Sequence, residues 1–373
     1  MTFNQGTPPR LRRSPHSIVD LADLVHGLSR EDQQRFNRLY YHATVRARLR
    51  VPRTMAPWVE EHFSSLEAVE SQQVVRVVNR VTGEGTLFNP LRAQRPVQTI
   101  KNTGPSLQDG AAENDVLARP LDLTPEDPFG RLKNRYGVTA ANIAKYDTLH
   151  SLVVFNEADP LAFSRDSLAG HLELARRWVQ AAHAWDDEAR YPYILWNCLW
   201  RAGGSLLHGH LQVALARGMH YAKIERLRND AEAYRQRHGV SYFEDLAAVH
   251  LALGCAYRVG QISVLAHLTP VRDKEVVLLA PGLTDGAIDV LYQALVAFRD
   301  RLGVRSFNMG VLLPPVAPVP ESWDGFPTVI RLVDRGALQD RTSDVGGMEL
   351  FAESVVASDP FAIAQALQQD GGR

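Results

Sequence analysis

Cysteine is nearly absent: 373 residues contain only Cys198 and Cys255. That excludes a disulfide scaffold and any paired CxxC zinc motif, and it predicts two reduced thiols in the core. Long apolar runs are missing too, with no segment of about 18 or more apolar residues to span a bilayer. A surplus of one charge is the third absence. Lys and Arg number 41 against 42 Asp and Glu, a formal net charge of -1. Nothing at whole-chain level therefore draws in a nucleic acid or an anionic membrane, and any anionic ligand must be met by local groups. The stretch MTFNQGTPPRLRRSPHS carries charge without an apolar run behind it, which predicts no secretory signal and a cytoplasmic location.

What is present is an ordinary globular composition, 45% hydrophobic and 22% charged, enough for a sizeable core in two similar units. Residues 1–72 are polar and helix-prone. In SREDQQRFNRLYYHATVRARLR, Phe36, Leu39 and Tyr40 fall at helical spacing, and the basic run HATVRARLR reads as a solvated helix face. From Gln73 the period changes to alternation, and VVRVVNRVTGEGTLFNP reads as a hairpin turning at Gly83 and Gly85. Residues 99–128, rich in Gly, Pro, Asp and Asn, read as a long, partly mobile surface excursion.

Beyond it one pattern occurs twice. HSLVVFNEADP is a strand, SRDSLAGHLELARRWVQAAHAW an amphipathic helix, YPYILWN a strand, and LLHGHLQVAL a strand reached through RAGGS. KEVVLLAPG, TDGAIDVLYQALVAFRDRLG, SFNMGVLLPP and PTVIRLVDRG repeat that order, at an offset of about 110 to 125 residues, as a duplicated unit would. Leu168, Leu172, Ala175, Val179 and Ala182 form one apolar helix face; Ile288, Leu291, Leu295 and Phe298 form its counterpart. The predicted fold is α+β, with antiparallel sheets and packed helices in two tandem modules. The expected divisions are a helical extension over 1–72, a first module over 73–218, a connector helix over 219–240 and a degenerate second module over 241–373.

The chemistry-bearing stretch is GGSLLHGHLQV, Gly203 to Val213. As a strand it would set His208, His210 and Gln212 on one face and Leu207, Leu211 and Val213 on the core side. Gly203, Gly204 and Ser205 have the composition of a turn whose amides could meet a phosphate. No third metal-ligating residue lies nearby in sequence, so the two histidines fit a metal poorly. A neutral imidazole is a competent nucleophile near its reference pKa of about 6.5, provided one nitrogen is held by a hydrogen bond. Gly209 would let backbone and ligand approach. Spacing leaves a nucleophile with its support and an ordinary polar strand both open.

NCLWRAGGSLLHGHLQ, Asn197 to Gln212, resembles the active-site segment of the galactose-1-phosphate uridylyltransferase family, a branch of the histidine triad superfamily. The family's asparagine, small-residue turn and His-x-His-x-Gln fall on Asn197, Gly203-Gly204-Ser205, His208, His210 and Gln212. VTGEGTLFNPLRAQRP is similar to its amino-terminal signature, which carries substrate-contacting arginines onto Arg92 and Arg95. GGMELFAES is weakly similar to its Gly-x-Glu segment, at Gly347 and Glu349. The resemblance implies that His210 accepts a nucleoside monophosphate from a nucleotide or nucleotide sugar and releases it to a phosphorylated acceptor, with UDP-glucose and a hexose 1-phosphate as the leading pair. Gln212 would bind the phosphoryl oxygen, Ser205 the neighbouring phosphate, and a homodimer would be expected. Where histidine triad hydrolases carry a third histidine, Gln212 cannot shuttle a proton, which favours transfer over hydrolysis.

Departures narrow this. Zinc-binding members use two cysteines after the Arg-Pro segment, a further histidine and the residue at His208. RPVQTIKNTGPSLQDG has no cysteine and NEADP no histidine, so no metal and no cofactor are expected, and His208 is free to support the nucleophile. FNMGVLLPP and PTVIRLVDRG lack the second module's histidines, leaving it as support and substrate wall. Met348 and Val355 replace hexose-contacting positions. Diadenosine tetraphosphate phosphorylase, a nucleotide hydrolase and a non-catalytic nucleotide-binding protein are the alternatives.

Overall fold

The alternating valines around Arg76 do form a strand, and the sheet it belongs to takes strands from both ends of the chain. The computed structural model describes residues 16–63, 65–96, 115–340 and 342–368. A four-stranded sheet runs β1 (Tyr40–Arg48), β2 (Ser71–Asn79), β3 (Gly85–Phe88), β13 (Ser354–Val356). The expected hairpin is β2–β3, and β13 pairs parallel to β3. The helical reading across Tyr40 needs correction. The helix Arg30–Leu39 stops there, and all nine residues of β1 pair antiparallel with β2. Thr44 and Val45 are β-branched and poor helix formers, and the open edge of β2 offers their backbone a complete ladder. Of the expected surface excursion, residues 99–114 lie outside the described residues, as do residues 1–15 with most of the amino-terminal charged stretch. The remainder holds the short helix Pro120–Leu123.

The main sheet has nine strands: β4 (Gly137–Ala141), β5 (Leu149–Phe155), β6 (Ala189–Cys198), β7 (His210–Arg217), β8 (Ala256–Val259), β9 (Ile262–Ala266), β10 (Val276–Ala280), β11 (Phe307–Leu312) and β12 (Thr328–Asp334). Their order in space is β4-β5-β7-β6-β11-β12-β10-β9-β8. The duplication is visible in that order. Each half contributes two strands, a helix and two more strands, the second half adding β8 at the edge, and the halves meet where β6 pairs with its equivalent β11, Asn197 opposite Asn308. One antiparallel sheet thus crosses both halves.

Both long helices lie as their apolar faces require. Ser164 caps Arg165–Trp185 and Thr284 caps Asp285–Val296, each accepting a hydrogen bond from a first-turn amide. Leu168, Leu172, Ala175, Val179 and Ala182 are buried, as are Ile288, Leu291, Leu295 and Phe298, each large side chain contributing about 1.5–3 kcal/mol. The connector helix forms over Ala222–His238, and a second helix, Tyr242–Leu253, follows it. The small sheet docks on the second half: Asn79 Nδ2 donates to Tyr242 Oη at 2.8 Å, Thr86 Oγ1 to Pro270 O at 2.9 Å, and Glu84 pairs with Arg331 at 2.8 Å. Cys198 and Cys255 are free and buried. No helix among the described residues is long and apolar enough to cross a membrane.

Candidate active site

The turn entering β7 is built around two close backbone approaches. Leu199 has φ +67° and Gly203 φ +86°, and a Cβ on Gly204 would sit 2.8 Å from Asn197 O and 2.9 Å from Leu199 O, so only glycine fits there. The amides of Gly203 and Gly204 are not turned toward a ligand: they donate to Trp200 O and Leu199 O, each at 3.0 Å. Within this turn the amides of Ser205, Leu206, Leu207 and His208 make no hydrogen bond among the described residues, so any backbone cradle for an anion lies one step later than the glycines suggest. Ser205 is exposed.

The alternation expected through His208 begins only at His210, the first residue of β7. His208 lies in the turn before β7. Its Nδ1 is 2.7 Å from Asp115 Oδ2 and its Nε2 2.8 Å from Phe155 O. Both ring nitrogens face acceptors, so His208 is anchored from two sides. Its own carbonyl takes a hydrogen bond from His210 Nδ1 at 2.8 Å. A carbonyl only accepts, so His210 carries its proton on Nδ1 and presents a lone pair on Nε2. That nitrogen makes no hydrogen bond among the described residues. Burial is the main cause holding His210 below its usual pKa, so the ring is neutral near pH 7.

Gln212 is half-buried. Its Oε1 accepts from Tyr146 Oη at 2.7 Å and from His150 Nε2 at 3.0 Å. The Tyr146 amide donates to His150 Nδ1 at 3.4 Å, which leaves Nε2 to donate to Gln212 at 3.0 Å, a shorter contact than the 3.3 Å between Nε2 and Asn142 Nδ2. With both lone pairs of its oxygen engaged, Gln212 offers only its NH2 group outward. Asn197, at the end of β6, is treated alike: its Oδ1 accepts from Asn308 Nδ2 at 2.8 Å. Leu211 and Val213 are fully buried behind the strand, as the alternation requires.

The remaining expected residues are placed elsewhere. Arg92 and Arg95 are exposed at the turn Pro90–Gln94 after β3, and Glu349, within Gly347–Phe351, accepts from its own Gly346 amide at 2.8 Å. The β3–β13 pairing brings those two segments to one sheet, yet none of the three touches His208, His210 or Gln212 among the described residues. Sequence reasoning missed Asp115, Tyr146, His150 and Asn308. His150 alone left a signal, as a polar residue on the apolar strand LHSLVVF. Among the described residues no three His, Cys, Asp or Glu side chains come together as a metal site.

Gly209 serves packing rather than ligand approach. A Cβ there would lie 2.5 Å from Phe155 Cδ2 and 3.1 Å from Glu157 O. Gly209→Ala should cost about 1–3 kcal/mol, as overpacked cores do. Denaturant unfolding checks this, and an unchanged midpoint would mean the neighbouring ring moves freely.

No protein-family model matches the chain, and no curated protein does. Solved structures do. An ADP-glucose phosphorylase from Arabidopsis thaliana, with bound ADP-glucose, superposes with TM-score 0.58 at 13% identity, covering 78% of this chain and 97% of that one. A structure described as a uridylyltransferase gives TM-score 0.51 at 15% identity, covering 79% and 97%. The chain has the galactose-1-phosphate uridylyltransferase-like fold. A galactose-1-phosphate uridylyltransferase-like protein, also from Arabidopsis thaliana, agrees at TM-score 0.51 and 13% identity, over 68% of this chain and 90% of that one. In this uridylyltransferase-like fold the nucleophile candidate sits on β7, flanked by β5 and β6, which explains why its neighbours come from three separate stretches of sequence.

Proposed function

We propose that the chain is a nucleotidyltransferase working through a covalent bond between His210 Nε2 and a nucleoside monophosphate. The observation that carries this is the His210 tautomer: Nδ1–H tied to the His208 carbonyl, and a free lone pair on a buried, neutral ring. That is the form a nucleophile needs and the one an ordinary surface histidine does not hold. The Nε2 lone pair attacks the α-phosphorus of a nucleoside diphosphate sugar, and the bond to the bridging oxygen breaks with the electron pair leaving on the sugar phosphate. A phosphorylated acceptor then takes the nucleotide and returns the pair to His210. Gln212 and Asn197 supply N–H donors to the phosphate, and Ser205 with the unbonded turn amides holds the neighbouring phosphate. Residues 73–218 supply the nucleophile; residues 241–373 brace it. The bound ADP-glucose of the Arabidopsis thaliana phosphorylase supports testing an adenine donor beside UDP-glucose.

Incubation with α-phosphate-labelled UDP-glucose or ADP-glucose should leave an acid-labile, base-stable adduct on His210. Labelling by neither donor, nor by other common nucleoside diphosphate sugars, above a His210→Ala control would sink the reading. Gln212→His introduces a side chain able to shuttle a proton, so hydrolysis of the adduct relative to transfer should rise at least about 10-fold. An unchanged ratio removes Gln212 from that role.

A further inference from the structure

The second half of the sheet has no histidine pair, yet it reaches the site through side chains whose hydrogen-bond polarity is fixed. Arg335, just after β12, donates from Nη1 to Asn308 Oδ1 at 2.5 Å, while its Nε and Nη2 hold Asp344 at 2.5 and 2.9 Å. A guanidinium only donates, so Asn308 Oδ1 must be the acceptor. The two protons on Asn308 Nδ2 then go to Asn197 Oδ1 and Ala202 O, each at 2.8 Å. The sense passes on to Asn197, whose oxygen is occupied and whose NH2 group is left to face outward.

We propose that Asn308 and Arg335 are positioning residues for the substrate's phosphate, locking the Asn197 amide so that it offers an anion two N–H donors and no oxygen. The identity of that anion rests on the nucleotidyl-transfer reading. Gln212 is turned in the same sense by His150 and Tyr146, so two amides on neighbouring strands present donors on the face that carries His210. Reversing either one exchanges attraction for repulsion toward a phosphate oxygen.

Asn308→Asp is the sharpest test because it is isosteric. A carboxylate accepts from Arg335 but cannot donate to Asn197, which must turn its NH2 group inward and its oxygen toward the ligand. Inorganic pyrophosphate should bind at least about 10-fold more weakly, and because Ala202 O also loses its donor, binding is compared below the variant's own melting transition. Asn308→Ala adds no charge and lets the Asn197 amide rotate, so a loss of about 3-fold is expected; Asn308→Ser, with a hydroxyl able to donate, should recover affinity. The Asp deficit should persist at about 0.5 M salt, where bare charge repulsion is screened. The proposal is overturned by unchanged affinity in the Asp and Ala variants, by a deficit that vanishes in salt, or by a wild type that binds no pyrophosphate. Pyrophosphate binding requires no turnover, so it is separable from His210 labelling. Labelling with unaltered pyrophosphate affinity sinks only the positioning role, and absent labelling with the Asp deficit sinks only the transferase reading.

Discussion

His210→Ala abolishes the nucleotide adduct and lowers turnover by at least about 10⁴-fold, the scale on which enzymes lose a covalent nucleophile. The ring is only 6% exposed, so a loss of activity could also come from a disturbed fold. His210→Asn separates the two. Its side-chain NH2 can still donate to the His208 carbonyl, which His210 Nδ1 does at 2.8 Å in the native chain, while no nucleophilic nitrogen remains. The Asn variant should unfold like wild type and carry no label. Activity in either variant above the uncatalysed rate would place the nucleophile elsewhere. The pH dependence follows from the same burial. Because His210 is held below its usual pKa, the neutral form persists as pH falls past about 6.5. The acid limb of adduct formation should therefore lie below that value, and a limb above it would contradict the buried, neutral ring.

Asp115→Ala should lower the rate of adduct formation about 100-fold, the usual cost of misplacing a reacting group by about 1 Å. Asp115 accepts from His208 Nδ1 through Oδ2 at 2.7 Å and from the Leu117 amide through Oδ1 at 3.0 Å. Without it, a buried N–H loses its acceptor, at a cost of about 1–3 kcal/mol, or the ring turns and carries the His208 carbonyl with it. That carbonyl is what fixes the His210 tautomer. Asp115→Asn isolates the charge from the geometry. Its oxygen keeps the Leu117 amide and its NH2 group can face His208 Nδ1, so the geometry at this position is kept while the carboxylate charge is lost. The Asn variant should be closer to wild type than Asp115→Ala in both stability and rate, with a loss of no more than about 10-fold. Rates within about 3-fold of wild type for Asp115→Ala would remove the residue from the mechanism.

Several features needed nothing beyond the sequence. The apolar faces of Arg165–Trp185 and Asp285–Val296 were legible because helical period depends on local spacing alone. The repeated order of strands and helices was legible for the same reason, as was the hairpin β2–β3. The stretch Tyr40–Arg48 was misread because its short-range pattern suits a helix, whereas the open edge of β2, which decides the matter, is formed by a segment more than twenty residues later. The arginines and Glu349 carried over by resemblance came with no geometry, and no hydrogen bond or ion pair joins them to the histidines among the described residues.

The sequence alone determined that His210 and Gln212 share one face of a strand entered through a glycine turn, since alternation and turn chemistry are local properties. It could not determine what each side chain would meet. The contacts that give His210, Gln212 and Asn197 their chemical state come from Asp115 on His208, 93 residues away, His150 on Gln212, 62 away, and Asn308 on Asn197, 111 away. Those partners exist because β5 and β6 flank β7, because β6 pairs with β11, and because the segment at Asp115 folds back over the turn. A hydrogen bond fixes a tautomer or an amide only when donor and acceptor lie within about 3 Å, and at such separations along the chain that distance is set by the tertiary fold.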